Sequence, residues 1–193
     1  MDRVSLIIAC AGKGVRAGFN KNKLLVNVGD KPVIATTYDV CKNSGLFSQI
    51  ILSVSPTDYE FVKGVVDSDA ILVVGGNTRT QSVKNALEKV TGDIVLIHDG
   101  ARPFVTEKVL QDCIDTVRKH GGAIPVVPSR DTILKSDGAT VTEYLGKSEL
   151  YSVQTPQGFK TELIKRAYAH AGEKTFNDDG EVFKEYIYHH AHL

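Results

Sequence analysis

The sequence predicts an α/β protein with a mainly parallel sheet covered on both faces, and three observations carry that prediction. Short apolar runs alternate with amphipathic helical stretches from Leu6 to Val127. Such alternation implies right-handed crossovers that place helices on both sides of a parallel sheet. The first apolar run, Leu6 to Ala9, opens into a loop with glycines at 12, 14 and 18, where the backbone can turn its N–H groups toward a ligand. From Ser129 to about Thr155 the rhythm changes to short β-like pieces, which predicts a protruding β-arm.

Taken in order, Pro32 suits the start of a helix whose apolar face is Val33, Ile34, Thr37, Val40 and Cys41, ended by Gly45. Gln49 to Val54 reads as a strand, and Thr57-Asp58-Tyr59-Glu60 as a capping box opening a helix to about Val66. Ile71 to Val74 is the third strand. Thr78 to Gln81 is a second capping box, with Val83, Leu87 and Val90 on one helical face. Asp93 to Ile97 is the fourth strand, Thr106 caps a helix containing Val109, Leu110, Ile114 and Val117, and Gly122 to Val127 is the fifth strand. Within the arm, Thr132 to Leu134, Thr140 to Tyr144 and Tyr151 to Val153 surround an Asp137-Gly138 turn. Helices follow at Thr161 to Ala171 and Asp178 to Tyr186. We expect one domain over residues 1–193, with 129–155 as the arm.

The totals narrow the function classes. Lys plus Arg and Asp plus Glu both number 23, so the overall charge argues for neither nucleic acid nor an anionic membrane as partner. Cys10, Cys41 and Cys113 are odd in number, widely spaced and set in apolar segments, which fits reduced thiols in a cytoplasmic protein. No signal-peptide pattern and no membrane-spanning run is present. The histidines show no metal-ligand spacing, and Lys174 with Asp178 and Asp179 reads as helix-end electrostatics.

In an open parallel sheet, ligands bind beyond the carboxyl ends of the strands. The residues there are Gly12-Lys13-Gly14 with Arg16, Lys21 and Lys23; Gly75-Gly76-Asn77 with Arg79 and Ser82; His98-Asp99-Gly100-Ala101-Arg102; Ser129 to Thr132; and Gln154 to Gln157. The first loop carries enough positive charge for a triphosphate, although a solvated basic turn is the plainer alternative. Its glycines do not match the dinucleotide fingerprint, because the third falls one position late, and no G-x-x-x-x-G-K-[ST] is present.

The ordered set A-G-x-G-x-R from Ala11, a lysine seven residues after Arg16, G-G-x-x-R-x-x-S, H-D-x-A-R-P, R-D-T and T-P-Q resembles the 2-C-methyl-D-erythritol 4-phosphate cytidylyltransferases over essentially the whole chain. The resemblance implies a Rossmann-like, three-layer nucleotidyltransferase fold and a homodimer whose arm contacts the partner subunit. It implies transfer of a cytidylyl group from CTP to a sugar-alcohol phosphate, with Mg²⁺ required and pyrophosphate released. Carried onto this chain, Arg16 and Lys23 would stabilise charge on the reacting phosphorus. Ala11, Gly12, Lys13 and Gly14 would hold the triphosphate, while Gly76, Asn77 and Ser82 would read cytosine. Asp99 would serve ribose, metal and substrate, and Arg102, Thr132, Lys147 and Thr155 would line the substrate pocket.

The chain departs from the family pattern in several places. Asn77 stands for aspartate, Ala17 for methionine, Asn22-Lys23-Leu24 for Pro-Lys-Gln, and Lys147 for an arginine whose bidentate fork a lysine lacks. Family members continue past this ending with a strand and a helix that carry an aspartate and a lysine, so the resemblance is to a member short at its C-terminus. Ribitol 5-phosphate is the alternative substrate. A dinucleotide-dependent oxidoreductase and an inactive nucleotide-binding remnant are the alternatives of other classes.

Overall fold

The computed structural model describes residues 2–12, 22–172 and 174–190. Strand β1 (Val4–Ala9) is followed by a 3₁₀ turn at Lys23–Leu25 and a small hairpin, β2 (Asn27–Val28) and β3 (Lys31–Pro32). Next come α1 (Val33–Asn43), β4 (Gln49–Val54), α2 (Tyr59–Lys63), β5 (Ile71–Val74), α3 (Arg79–Leu87), β6 (Ile94–Asp99) and α4 (Glu107–His120). The second half contains β7 (Gly122–Ala123), β8 (Val126–Pro128), β9 (Leu134–Ser136), β10 (Val141–Tyr144), β11 (Tyr151–Val153), β12 (Gln157–Lys160), α5 (Thr161–Ala171) and α6 (Asp179–His190).

The main sheet has the order β5-β4-β1-β6-β12-β7. The pairs β4 with β5, β1 with β4 and β1 with β6 are parallel, whereas β12 runs antiparallel to both β6 and β7. Alternation along β1 divides the core between the sheet's two faces. Leu6 and Ile8 join Ile34 and Tyr38 of α1, Val62 of α2 and Leu110 and Ile114 of α4. Ile7 joins Val83 and Leu87 of α3, Ile164 and Tyr168 of α5 and Val182 of α6. The result is the expected three-layer α/β architecture.

Helix α4 shows how local chemistry sets an element. Thr106 accepts a hydrogen bond from the Val109 N–H, a cap worth about 1 kcal/mol. Leu110, Cys113, Ile114 and Val117 follow at helical spacing and are all buried. Arg118, Lys119 and His120 suit the negative end of the helix, and Gly121 closes it at φ 85°, its N–H bonded to the Val117 carbonyl.

Three expectations need correction. The apolar run Gly122 to Val127 is two strands: Pro125 lies between them, β7 joins the main sheet and β8 pairs with β11 in the arm. The strand β12, with only Phe159 to advertise it, was not anticipated and occupies the place beside β6. The box at Thr57–Glu60 does not form: Thr57 pairs with Ser55, the Asp58 carboxylate accepts from Asn22 Nδ2 at 2.8 Å, and only the five-residue α2 results.

Candidate active site

The parallel strands deliver their carboxyl ends to one edge, where three ladder bonds continue past the strands. Cys10 N–H donates to Ser53, Gly75 N–H to Val54 and Gly100 N–H to Ala9. The loop after β5 packs against the loop after β1. A Cβ on Gly75 would sit 2.3 Å from the Ala11 Cβ and 2.9 Å from Ser82 Oγ, so this approach requires glycine. Gly12, by contrast, is exposed with open space above it. Ser82 is buried; its hydroxyl accepts from Gly76 N–H at 3.1 Å and bonds the Thr78 carbonyl at 2.8 Å, bracing the glycine loop from behind. Asn77 is exposed at the tip.

Asp99 ends β6 and sits at the mouth of a polar pocket of about 200 Å³, with Arg79, Arg102, Gln154, Thr155 and Asn177 among its walls. One carboxylate oxygen lies 3.4 Å from Arg79 Nη2 and the other 3.3 Å from Arg102 Nε. Arg102 also donates to the Gln154 side chain. Behind the carboxylate runs a chain of hydrogen bonds. Asp99 N–H donates to Thr155 Oγ1 at 3.2 Å, Thr155 Oγ1 lies 3.0 Å from His98 Nδ1, and His98 Nε2 lies 3.0 Å from the Arg102 carbonyl. A carbonyl can only accept, so Nε2 carries the hydrogen. Burial holds the His98 pKa below its ordinary value, so the ring is neutral at pH 7 and Nδ1 accepts from the Thr155 hydroxyl.

Asp179 overturns the reading of this residue as helix-end electrostatics. It is fully buried, its Oδ2 lies 2.7 Å from Arg79 Nη2, and its Oδ1 accepts from Tyr168 at 2.5 Å. Burial works against the Arg79 charge, but the Asp179 carboxylate outweighs it and pushes the guanidinium pKa above its usual value. Burial and the same carboxylate raise the Tyr168 pKa. Asp178, its neighbour, does cap α6, accepting from Glu181 N–H at 2.8 Å. Gln157, also buried, accepts from Gly180 N–H at 2.8 Å and ties β12 to the start of α6.

The structure therefore brings Asp99, Arg102 and Thr155 together. Ala11, Gly12, Gly76 and Asn77 lie on the loops after β1 and β5 and Ser82 on α3, all outside the lining of this pocket. Lys23 is exposed on a 3₁₀ turn that Asn22 caps through its side chain, Oδ1 accepting from Leu24 N–H at 3.1 Å. Thr132 and Lys147 are exposed on the arm and do not line the pocket; Lys147 Nζ bonds the Arg130 carbonyl at 3.3 Å. Lys13, Gly14 and Arg16 lie outside the described residues. Sequence reasoning missed Asn177 and the site role of Asp179, and placed Arg79 and Gln157 at the strand ends without giving either a role. The only available signals were the position of Arg79 after a strand end and the pairing of Asp178 with Asp179.

The family model for IspD, 2-C-methyl-D-erythritol 4-phosphate cytidylyltransferase, matches residues 4–191. The chain belongs to this family. A 2-C-methyl-D-erythritol 4-phosphate cytidylyltransferase of Bacillus mycoides is 37% identical over 186 residues, covering 92% of this chain and 82% of that one. The corresponding Clostridium tetani protein is 35% identical, with 96% and 78% covered. A solved 4-diphosphocytidyl-2C-methyl-D-erythritol synthase from Anaerococcus prevotii superposes with a TM-score of 0.84 at 29% identity, covering 96% of this chain and 84% of that one. The Thermus thermophilus 2-C-methyl-D-erythritol 4-phosphate cytidylyltransferase gives 0.75 at 27% identity, with 96% and 84% covered. Membership in the IspD family gives the strand-end pocket its chemical context.

Proposed function

We propose that the chain transfers the cytidylyl group of CTP to 2-C-methyl-D-erythritol 4-phosphate, in the isoprenoid route that does not use mevalonate. The observation that carries this reading is the Asp99 carboxylate, held between Arg79 and Arg102 at the strand ends of a chain that matches the IspD family over residues 4–191. An oxygen of the substrate phosphate attacks the α-phosphorus. As that P–O bond forms, the bond from the α-phosphorus to the β-phosphate bridging oxygen breaks, and pyrophosphate leaves with the electron pair. The attacking phosphate is already anionic, so no strong base is required. Alignment and charge stabilisation supply the rate.

In this reading the exposed backbone at Gly12 and the basic groups of the following loop, Lys13, Arg16 and then Lys23, grip the triphosphate. The Gly76 and Asn77 loop, held by Ser82, meets the base. Arg102 takes the substrate phosphate. Thr155 adds a specific constraint. Its hydrogen goes to His98 and one lone pair to Asp99 N–H, so it can meet a ligand only as an acceptor, and a polyol phosphate has hydroxyls to donate.

Among the described residues no group of three metal-ligating side chains occurs. A single carboxylate suits Mg²⁺ nonetheless, because that ion is commonly held by one or two carboxylates and the phosphates of its nucleotide. Asp99 is the residue that would hold it, and the ion would neutralise charge developing on the phosphates. The exposed Val127, Val141, Tyr144 and Tyr151 of the arm fit a second copy of the chain, where Thr132 and Lys147 would face a substrate. On this reading residues 1–193 act as one nucleotidyltransferase domain with 129–155 as its arm. The three buried free thiols fit a reducing cytoplasm, and no helix of the described residues is long and apolar enough to cross a membrane.

Pyrophosphate release tests the proposal directly. With CTP and Mg²⁺, 2-C-methyl-D-erythritol 4-phosphate should be turned over and ribitol 5-phosphate should not. Turnover of ribitol 5-phosphate alone would replace the substrate, and no release with either would remove the activity.

A further inference from the structure

Arg79 is shared by two carboxylates at unequal distance. Its Nη2 lies 2.7 Å from Asp179 and 3.4 Å from Asp99. Asp179 is fully buried, and its second oxygen is occupied by Tyr168, so both of its acceptors are engaged. Asp99 is about one-third exposed toward the pocket, and its other oxygen has a similarly long contact, 3.3 Å, with Arg102. Charge-assisted N–H···O bonds settle at about 2.7–2.9 Å. The bond to Asp179 is therefore at full strength, while both contacts to Asp99 fall short of it.

We propose that Asp179, braced by Tyr168, is a positioning residue that holds Arg79 back from Asp99 and so keeps the Asp99 carboxylate available to the incoming nucleotide. The proposal deepens the functional reading above and rests on it. Asp179 and Asp99 are the two carboxylates that Arg79 meets among the described residues. If the first lost its charge, the guanidinium would close on the second, and its planar fork would occupy both carboxylate oxygens. The nucleotide would then have to displace an arginine before Asp99 could bind it. The signature of this role is weaker binding with the chemical step preserved, which a general loss of structure would not produce.

Steady-state kinetics with CTP, Mg²⁺ and 2-C-methyl-D-erythritol 4-phosphate on four proteins tests the proposal: the native chain, Asp179→Asn, Tyr168→Phe, and Asp179→Asn combined with Arg79→Gln. Asp179→Asn should raise KM for CTP about tenfold while kcat stays within about threefold, the pattern of lost ground-state binding. Tyr168→Phe removes one hydrogen bond and should raise the same KM about two- to fivefold. Adding Arg79→Gln to Asp179→Asn should lower KM again, because the group that blocks Asp99 is gone. An Asp179→Asn protein of native circular dichroism with native KM overturns the proposal, and so does a double variant worse than the single one. Should Asp179→Asn not fold, Tyr168→Phe decides, and an unchanged KM there is equally fatal. An inactive native chain would instead overturn the functional reading, and this proposal with it.

Discussion

The Asp99 rim and the β-arm are built on opposite principles. At the rim several polar groups are answered by others from distant parts of this same chain: Asp99 by Thr155, Arg79 by Asp179, Gln157 by Gly180. In the arm, β8 to β11 form two-stranded ladders, and Val126, Val127, Leu134, Val141, Tyr144 and Tyr151 are all exposed. Two-stranded ladders are marginal alone in water. The rim is specified within one chain, whereas the arm presents apolar surface that the described residues leave uncovered.

The largest test of that contrast truncates one residue from each kind of ground. Leu96 is fully buried in β6, and Leu96→Ala should cost about 2–5 kcal/mol in denaturant unfolding, the range for a buried leucine truncated to alanine. Val141 is half exposed, and Val141→Ala should change the stability of the isolated chain by no more than about 0.5 kcal/mol. Comparable losses would mean that the arm is packed as tightly as the sheet, and the contrast would break.

A smaller test sharpens the account of the rim through pH. His98 is held below its ordinary pKa by burial. At neutral pH both the folded and unfolded forms are uncharged at this position. As pH falls through the unfolded value, 6.5, the unfolded chain takes up the proton first, so stability is lost until the folded value is reached. Below about pH 6.5 the native protein should therefore lose stability more steeply than His98→Gln, by at most about 1.4 kcal/mol per pH unit. Parallel melting curves for the two proteins over that range would show that His98 is not buried in the neutral form.

What could be read from the residues follows from how local the cause is. The bounds of β4, β5 and α5 were legible because apolar spacing acts within a few residues. The strand ends also nominated Asp99, Arg102 and Thr155, which the fold does bring together. The box at Thr57 failed because its hydroxyl pairs with Ser55 and the cap position passes to Asp58, whose carboxylate is turned to Asn22, 36 residues away. Asp179 was unreadable for the same reason on a larger scale. Its partner Arg79 is 100 residues away, and nothing local distinguishes an aspartate that caps a helix from one buried against an arginine. The antiparallel β12 escaped because a four-residue run with one large apolar side chain carries little periodic signal.

Binding of CTP at the strand-end rim through Asp99 shows directly in the melting temperature, without requiring turnover. A ligand at about 100 times its Kd stabilises the fold by about 2.7 kcal/mol, which moves the midpoint several degrees for a chain of this length. CTP with Mg²⁺ should raise the melting temperature of the native protein by that amount, and NAD should leave it unchanged. In Asp99→Asn most of the rise should disappear. An equal rise in Asp99→Asn, or none with CTP in the native protein, would contradict the claim.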